Sequence, residues 1–194
     1  MIKFEPVSKY KNENLTMPAR ATANAAGYDF SAAQDIIIPP YNMHNCAIYD
    51  FVRDEGYLDN ISDTSIFKFL AEHPFSLEEM GRITKITKAK PTLISTGMKC
   101  YLDSDKYLEL TMRSSSPLKY WLVLANGVGV IDADYADNED NEGEIFFQVI
   151  NLSPFAIQIK KGDKIGQGII KQYYTTDDDC ASGERTGGFG STSR

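Results

Sequence analysis

The alternation of hydrophobic and polar positions over short stretches predicts a chain that is built mainly of β-strands. Residues 107–112 (YLELTM) alternate in this way, as a strand with one buried face does. Other short apolar runs end at Pro, Gly or Asp residues, which favour turns. The predicted strands span residues 35–38, 92–102, 107–112, 144–151, 155–160 and 165–174. Many short strands at close spacing predict an all-β fold, a distorted jelly-roll or β-clip barrel.

Residues 41–90 depart from this pattern and are interpreted as a partly helical insertion in the β domain. The helical pattern runs over residues 62–88, and Pro74 ends a first helix within it. Ser76 and Glu79 have the spacing of a capping box and predict the start of a second, short helix. The apolar residues on one face of the first predicted helix are Ile66, Phe69 and Leu70.

The composition changes again at residue 175, where the sequence becomes TTDDDCASGERTGGFGSTSR. This segment is rich in Gly, Ser and Thr and cannot bury enough apolar surface to order itself. We therefore predict a β-barrel domain over residues 1–174 and a flexible C-terminal arm over residues 175–194. The arm is either a disordered tail or a segment that closes the active site over a ligand.

The overall charge and the apolar content exclude several classes of protein. The 194 residues carry a formal net charge of −7, which argues against direct nucleic-acid binding through a basic face. No segment approaches the roughly 20 apolar residues of a membrane-spanning helix, and the N-terminus does not resemble a signal peptide. An acidic chain can still bind an anionic nucleotide through a few Arg side chains, backbone N–H groups and a divalent cation.

The cysteine and histidine residues do not indicate a metal centre. Cys46, Cys100 and Cys180 are far apart, and none belongs to a CxxC pair, so neither a zinc site nor a disulfide framework is predicted. His44 and His73 do not lie at metal-binding spacing from a Cys or an acidic cluster, and we interpret both as structural or exposed. A reducing cytoplasm is the expected location.

Three motifs carry residue types that suit phosphate binding. Arg113-Ser114-Ser115-Ser116 follows a predicted strand and combines a guanidinium group with hydroxyls and free backbone N–H groups. Residues 162–167 (GDKIGQ) form a turn that leads into another strand. Residues 185–192 (RTGGFGST) can wrap phosphate with backbone N–H groups, and their Phe can stack on a base.

A fourth motif, residues 126–135 (NGVGVIDADY), suits a nucleotide pocket with a catalytic carboxylate. Its two glycines allow the backbone to approach a ligand closely. Asp132 follows an apolar pair, where a carboxylate is partly desolvated and can polarise a water molecule. An ordinary turn aspartate is the alternative interpretation of Asp132.

Together with residues 25–30 (AAGYDF), these motifs resemble the five ordered motifs of the trimeric deoxyuridine triphosphatase (dUTPase) family. The resemblance covers residues 18–40 and 91–194, and residues 95–98 (STGM) resemble the segment that precedes the second family motif. It implies Mg²⁺-dependent hydrolysis of dUTP to dUMP and pyrophosphate, which limits uracil in DNA and supplies dUMP for thymidylate synthesis. It also implies a homotrimer in which each site is shared between subunits and capped by an arm. The expected location is the cytoplasm, which is that of the bacterial host if the chain is encoded by a phage.

The resemblance implies a role for each matching residue. Asp132 matches the general base that activates the attacking water, and Tyr135 matches the aromatic residue that packs under the deoxyribose and disfavours a 2′-hydroxyl. Asp29 matches an acidic residue that lies on the metal side of the site and acts through water. The implied uracil pocket comprises Asn126 and the backbone from Gly127 to Val130, and the implied substrate contacts include Gly129, Val130 and Ile131. The implied phosphate contacts are Arg113, Ser114, Ser115 and Gln167.

In the arm, the resemblance places Arg185 on the γ-phosphate and Phe189 over the uracil ring. One residue separates Arg185 from the following glycine pair, where two are more usual, so the register of Arg185 stays open. The other arm residues implied to bind substrate are Gly187, Gly188, Gly190, Ser191 and Thr192.

Residues 136–143 (ADNEDNEG) form an acidic extension of the hairpin that follows Tyr135, and they resemble a subgroup that is seen in phages and some bacteria. We interpret this extension as a solvated loop, with an extra metal site or a partner surface as the alternative.

Two further functions are compatible with these motifs. A dCTP deaminase, or a bifunctional deaminase and dUTPase, shares the fold and an Arg-Ser-Ser patch. It needs a differently placed catalytic Glu and generally lacks the arm. A nucleotide-sensing regulatory protein could bind a partner through residues 41–90 or 136–143. The pair of Asp132 and Tyr135 together with the arm favours dUTP hydrolysis.

Overall fold

The computed structural model describes residues 1–56, 72, 74–88, 90–183, 185 and 187–188, and only the backbone of residues 42–46. The first predicted helix of the insertion, with Ile66, Phe69 and Leu70, lies outside the described residues, as does His73. Within the described part of the chain, no helix has the length and apolar character that crossing a membrane requires.

The described residues form mainly antiparallel β-strands, which confirms the predicted all-β class. The predicted strand over residues 92–102 is two strands, because Gly97 turns the chain with a positive φ of 66°. The strands are β1 Lys3–Pro6, β2 Ala19–Arg20, β3 Tyr28–Ser31, β4 Ile36–Ile38, β5 Thr92–Ser95, β6 Met98–Tyr101, β7 Lys106–Met112, β8 Leu122–Leu124, β9 Gly129–Ile131, β10 Phe146–Asn151, β11 Ile157–Ile159 and β12 Lys164–Gln172.

These strands form four sheets rather than one closed barrel. The largest sheet has the order β2-β3-β12-β7-β9, and a three-stranded sheet has the order β5-β10-β8. Two smaller sheets pair β1 with β6 and β4 with β11. Period-2 alternation along β7 and β10 directs one face of each strand into a common core. The buried centre of this core includes Phe30, Ile94, Leu108, Leu110, Phe147 and Val149.

Strand β12 lies unusually close to the core at Gly166. A Cβ atom at this position would lie 2.0 Å from the ring of Phe147, a distance that no real side chain tolerates. The Phe147 ring also packs against Phe30, with ring centroids 5.8 Å apart. The absence of a side chain at Gly166 therefore lets β12 pass over the aromatic core and fixes the position of the next residue, Gln167.

Three α-helices interrupt the strands in the described chain: α1 Tyr41–Asp54, α2 Leu77–Thr87 and α3 Ser115–Tyr120. The capping box that begins α2 is present, because Ser76 N–H donates to Glu79 Oε2 at 2.8 Å and Glu79 N–H donates to Ser76 Oγ at 3.2 Å. Helix α1 was not predicted within residues 41–90. It begins after Pro40 with no side-chain cap, so the sequence lacks the usual start signal.

The two long helices share a small apolar cluster that is separate from the main core. Phe51 and Val52 of α1 pack with Ile83 of α2, and Phe75 borders them. The insertion leaves and rejoins the β domain beside the same strand, β10. Asn151 Nδ2 donates to the carbonyl of Ile38 at 3.1 Å, while Val149 pairs with Thr92.

Candidate active site

A polar row crosses the centre of the five-stranded sheet. Gln167 of β12 lies opposite Asp29 of β3 on one side and Thr111 of β7 on the other. Residues that are directly opposite in an antiparallel sheet project from the same face. Thr111 Oγ1 is buried and has no hydrogen-bond partner among the described residues. Asp29, Gln167 and Thr111 therefore form one polar stripe on this face of the sheet.

Two cations flank the carboxylate of Asp29. Lys164 Nζ lies 2.7 Å from one oxygen and Arg113 Nε lies 3.4 Å from the other. The Asp29 side chain is only 13% exposed, whereas those of Arg113 and Lys164 are 37% and 47% exposed. The buried carboxylate thus anchors two basic groups that keep access to an anion. Lys164 was not predicted to be a site residue, although it lies in the same sequence motif as Gln167.

The Arg-Ser-Ser motif marks the change from β7 to α3. Strand β7 ends at Met112, and the N–H of Ser116 donates to the carbonyl of Arg113 at 2.9 Å to start the helical turn. Ser114 is exposed and Ser115 is half-buried, so both hydroxyls stand beside the guanidinium group of Arg113 in sequence and near the surface. A cavity of about 380 Å³ is lined by Arg113, Ser115 and Lys164, among others.

A second cleft lies between the two larger sheets, at the turn that joins β8 of one sheet to β9 of the other. Gly127 lies in this turn with φ of 70°, and Asn126 is exposed beside it. A Cβ on Gly129 would lie 3.0 Å from Leu110 Cβ, so β9 approaches β7 closely. The cleft collects most residues of the predicted uracil pocket and part of the arm. These are Asn126, Gly129, Val130, Ile131, Asp132, Tyr135, Arg185 and Gly188.

Asp132 lies at the mouth of this second cleft, directly after β9 and before a 3₁₀ turn over Ala133–Tyr135. Its side chain is 50% exposed and forms an ion pair with Arg185. Arg185 Nε also lies 2.7 Å from Asp134 Oδ1, a partner that was not predicted from the sequence. The guanidinium group is thus held between two carboxylates that are two residues apart.

Two described residues of the arm, Arg185 and Gly188, lie against Tyr135, and Arg185 also pairs with Asp132 and Asp134 of the same chain. The guanidinium carbon of Arg185 lies 5.8 Å from the centroid of the Tyr135 ring. Gly187 is buried, and a Cβ on Gly188 would lie 2.8 Å from Tyr135 Cε2. The remaining predicted arm residues, Phe189, Gly190, Ser191 and Thr192, lie outside the described residues.

Tyr135 is buried and both hydrogen-bonding functions of its hydroxyl are used. The hydroxyl donates to the carbonyl of Glu144 at 3.1 Å and accepts from Asn141 Nδ2 at 2.9 Å. Burial raises the pKa of Tyr135 above its ordinary value of 10.0. The ring is therefore neutral and held at its outer end.

Residues 136–143 form a compact turn rather than a freely solvated loop. Asp137 and Glu142 adopt positive φ values of 62° and 58° and close the turn between them. Asp137 forms an ion pair with Lys99, and Glu142 accepts from the Ser8 N–H at 3.0 Å. The Ser8 N–H and hydroxyl lower the pKa of Glu142.

The acidic turn gives no support to an extra metal site. Its carboxylates at Asp137 and Glu142 are engaged with protein partners. Across the part of the chain that the structure describes, no group of three His, Cys, Asp or Glu side chains is arranged to hold a metal ion.

Within one chain, the predicted site residues form two separate groups. The cavity beside Arg113 and the cleft beside Asp132 have no lining residue in common among the described residues. The first group carries the basic and hydroxyl side chains, and the second carries the hairpin, the carboxylate, the aromatic ring and the arm.

Comparison with known proteins identifies the family. The family model described as dUTPase matches residues 80–193. The deoxyuridine 5′-triphosphate nucleotidohydrolase of Lactococcus lactis subsp. lactis is 35% identical over 191 residues, which cover 97% of this chain and 95% of the relative. The crystal structure of dUTPase from Streptococcus mutans is 30% identical with a TM-score of 0.62, covering 90% of this chain and 98% of that one.

A mutant dUTPase from phage phi11 of S. aureus, which coordinates a structural Mg(II) ion, shares the fold. It is 17% identical with a TM-score of 0.55, and the match covers 94% of this chain and 97% of that one.

Proposed function

The chain belongs to the dUTPase family, and from this premise we propose that it hydrolyses dUTP to dUMP and pyrophosphate in the cytoplasm, with Asp132 as general base. The observation that carries the proposal is the position of Asp132. Its half-exposed carboxylate stands at the mouth of a cleft that also contains Asn126 and Tyr135, and the arm residue Arg185 lies on it. A carboxylate in this position can accept a proton from a water molecule that attacks the α-phosphorus.

The first cavity supplies the groups that bind the triphosphate. Arg113 and Lys164 present positive charge, and Asp29 holds both in place. Charge-assisted hydrogen bonds from such groups are among the strongest contacts that a phosphate can make. Ser114, Ser115 and Gln167 add neutral donors to the same group.

The second cleft binds the nucleoside. Asn126 and the backbone of Gly129, Val130 and Ile131 recognise uracil, because an edge of a base pairs well with an amide and with free backbone groups. Tyr135 packs under the deoxyribose and leaves no space for a 2′-hydroxyl. Its buried, doubly hydrogen-bonded hydroxyl supports this role, since a fixed ring discriminates by shape more sharply than a mobile one.

The donor set fits a Mg²⁺ ion that is held mainly by the substrate. Mg²⁺ usually keeps several waters and binds through substrate phosphates and one or two carboxylates, so a cage of three protein ligands is not required. When bound, the ion neutralises charge on the triphosphate. Asp29 already faces Arg113 and Lys164 with its two oxygens, and we assign it contact with the ion through a water molecule.

The arm completes the site when substrate binds. Arg185 is held by Asp132 and Asp134, and the γ-phosphate offers it a competing partner of higher charge. Transfer of Arg185 to the phosphate frees Asp132 to accept a proton. Closure of Gly187, Gly188, Phe189, Gly190, Ser191 and Thr192 over the ligand excludes water and orients the reacting groups.

A homotrimer brings the two groups of residues together. Within one chain, Arg113 and Asp132 line different cavities. A site that uses both is completed if the phosphate-binding group of one subunit faces the nucleoside cleft of the next.

The function is tested by separate product assays on the purified protein. Incubation with dUTP and Mg²⁺ is expected to release pyrophosphate and dUMP, and incubation with dCTP is expected to release no ammonia. Release of ammonia from dCTP without pyrophosphate from dUTP would identify a deaminase instead. Binding of dUTP without any product would favour the sensor protein.

A further inference from the structure

We propose that Asn141, in the acidic turn, is a positioning residue that fixes Tyr135 and thereby determines how strongly the site prefers deoxyribose to ribose. This inference rests on the proposed function, in which Tyr135 packs under the sugar. Asn141 does not line the nucleoside cleft, so it acts through Tyr135 and not on the substrate.

The first support is the contact itself. Asn141 Nδ2 donates to the Tyr135 hydroxyl at 2.9 Å, and the same hydroxyl donates to the carbonyl of Glu144 at 3.1 Å. One bond uses a hydroxyl lone pair and the other uses its proton, so both can form together. Two partners on either side of the hydroxyl resist tilting of the ring.

The orientation of the Asn141 amide is fixed by a backbone donor. Asn141 Oδ1 accepts from the Gly143 N–H at 3.0 Å and from Asn138 Nδ2 at 2.9 Å. A flipped amide would place its NH₂ group against the N–H of Gly143, where two donors would meet. The oxygen must therefore face Gly143, and the NH₂ group must face Tyr135.

The acidic turn also holds the main chain of Tyr135, at the opposite end of this residue from its hydroxyl. Asn138 is buried, and its Nδ2 donates to the backbone carbonyl of Tyr135 at 2.8 Å. Asn138 Oδ1 accepts from the N–H groups of Asp140 and Asn141. The turn thus holds both the main chain and the hydroxyl of Tyr135, which is a role that a solvated loop could not perform.

The deciding experiment measures kcat/KM for dUTP and for UTP and compares the ratio between variants. Asn141→Asp keeps the oxygen that accepts from Gly143 but replaces the donor to Tyr135 with an acceptor, so two acceptors compete for one hydroxyl proton. We expect the dUTP-to-UTP preference to fall by about three- to tenfold, the range for loss of one neutral hydrogen bond. Thermal unfolding checks that the variant is folded.

Tyr135→Phe removes this hydrogen bond together with the one to the Glu144 carbonyl, so it is expected to lower the preference at least as much as Asn141→Asp does. In the double variant, Asn141→Asp should then add little, because its partner is already gone. The matched control is Glu142→Gln, which loosens the tether of the turn to Ser8 and leaves the Tyr135 contact intact. Its preference for dUTP should equal that of the unmodified protein.

The outcomes separate this inference from the proposed function. An unmodified protein that releases no pyrophosphate from dUTP contradicts the proposed function itself. A protein that prefers dUTP, with the same preference in folded Asn141→Asp or in Tyr135→Phe, overturns the positioning role. An equal loss in Glu142→Gln shows that the turn acts only through its stability and overturns it as well.

Discussion

At the scale of single residues, the environment of Asp132 suits a base that is used only when substrate is present. Its side chain is half exposed, and its charge is balanced by Arg185. Asp134 shares the same guanidinium group, so departure of Arg185 leaves two neighbouring carboxylates near the cleft.

Replacement of Asp132 by Asn tests the base directly. The amide has nearly the same shape but cannot accept the proton of the attacking water, so kcat should fall by about 10²- to 10⁴-fold. Binding of a non-hydrolysable dUTP analogue, measured by calorimetry, should change little. Turnover within a few-fold of the unmodified protein would show that another group is the base.

The two described thiols differ sharply in their surroundings. Cys100 is buried in the main core, and burial raises the pKa of its thiol to about 12, whereas Cys180 is exposed. Because the thiolate is the reactive form, a maleimide at pH 8 should modify Cys180 and leave Cys100 intact in the folded protein. Peptide mapping by mass spectrometry distinguishes the two. Modification of Cys100 at the rate of Cys180 would contradict the packing of β6.

Residue types and short spacing predicted Asp132 and Arg113 as candidate site residues, and the family resemblance added Tyr135, because each lies in a compact motif. Lys164 was missed because its partner, Asp29, lies 135 positions away in the sequence. Asn141 was missed for a different reason. Its contact with Tyr135 depends on two positive φ values in the turn, which the run of acidic residues does not reveal.

At the scale of elements, strand β12 connects the core to both groups of candidate site residues. Its centre carries Gln167 over the aromatic core, and its end at Gln172 leads into the arm. Tyr173 anchors the start of the arm, because its hydroxyl donates to the carbonyl of Ser104 at 2.8 Å. Beyond this anchor, residues 174–183 are exposed and have neither helix nor strand.

Removal of residues 185–194 tests whether the arm serves catalysis rather than folding. The truncated chain keeps the main core and the anchor at Tyr173, so its thermal unfolding should match that of the full chain. Its kcat/KM for dUTP should fall by about 100-fold or more, since closure and the γ-phosphate contact are lost. Full activity, or aggregation of the truncated chain, would disagree with a catalytic arm.

Elements with strong local signals were predicted correctly, and those that depend on distant partners were not. Helix α2 has a capping box, whereas α1 starts at a proline and is stabilised by packing against Ile83. The short helix α3 was also missed, since its Ser-Ser-Pro start resembles a turn. The arrangement of strands into four sheets follows from long-range pairing and could not be deduced from alternation alone.

At the scale of the whole molecule, the separation of Arg113 from Asp132 has a direct consequence for mixed assemblies. Arg113→Ala and Asp132→Asn should each be nearly inactive alone. When the two variants are unfolded, mixed and refolded together, the mixture should recover part of the activity. Some sites then receive an intact Arg113 from one subunit and an intact Asp132 from another. Light scattering of the unmodified protein should give the mass of three chains.

The mixing experiment has a built-in control. Asp132→Asn and Asn126→Ala change two residues of the same cleft of one chain. These two variants should therefore recover no activity when they are refolded together. Recovery in this second mixture, or none in the first, would argue that each chain carries a complete site.

The junction of the insertion with β10 also affects how such a chain can change over time. Ile38, which precedes the insertion, and Thr92, which follows it, both bond to the same end of β10. The segment between them can therefore change in length or sequence while the strand register of the main sheets stays the same. The described residues of the two helices have an apolar centre of their own, which is separate from the main core. Replacement of this segment is therefore compatible with the strand pairings that hold the two candidate clefts.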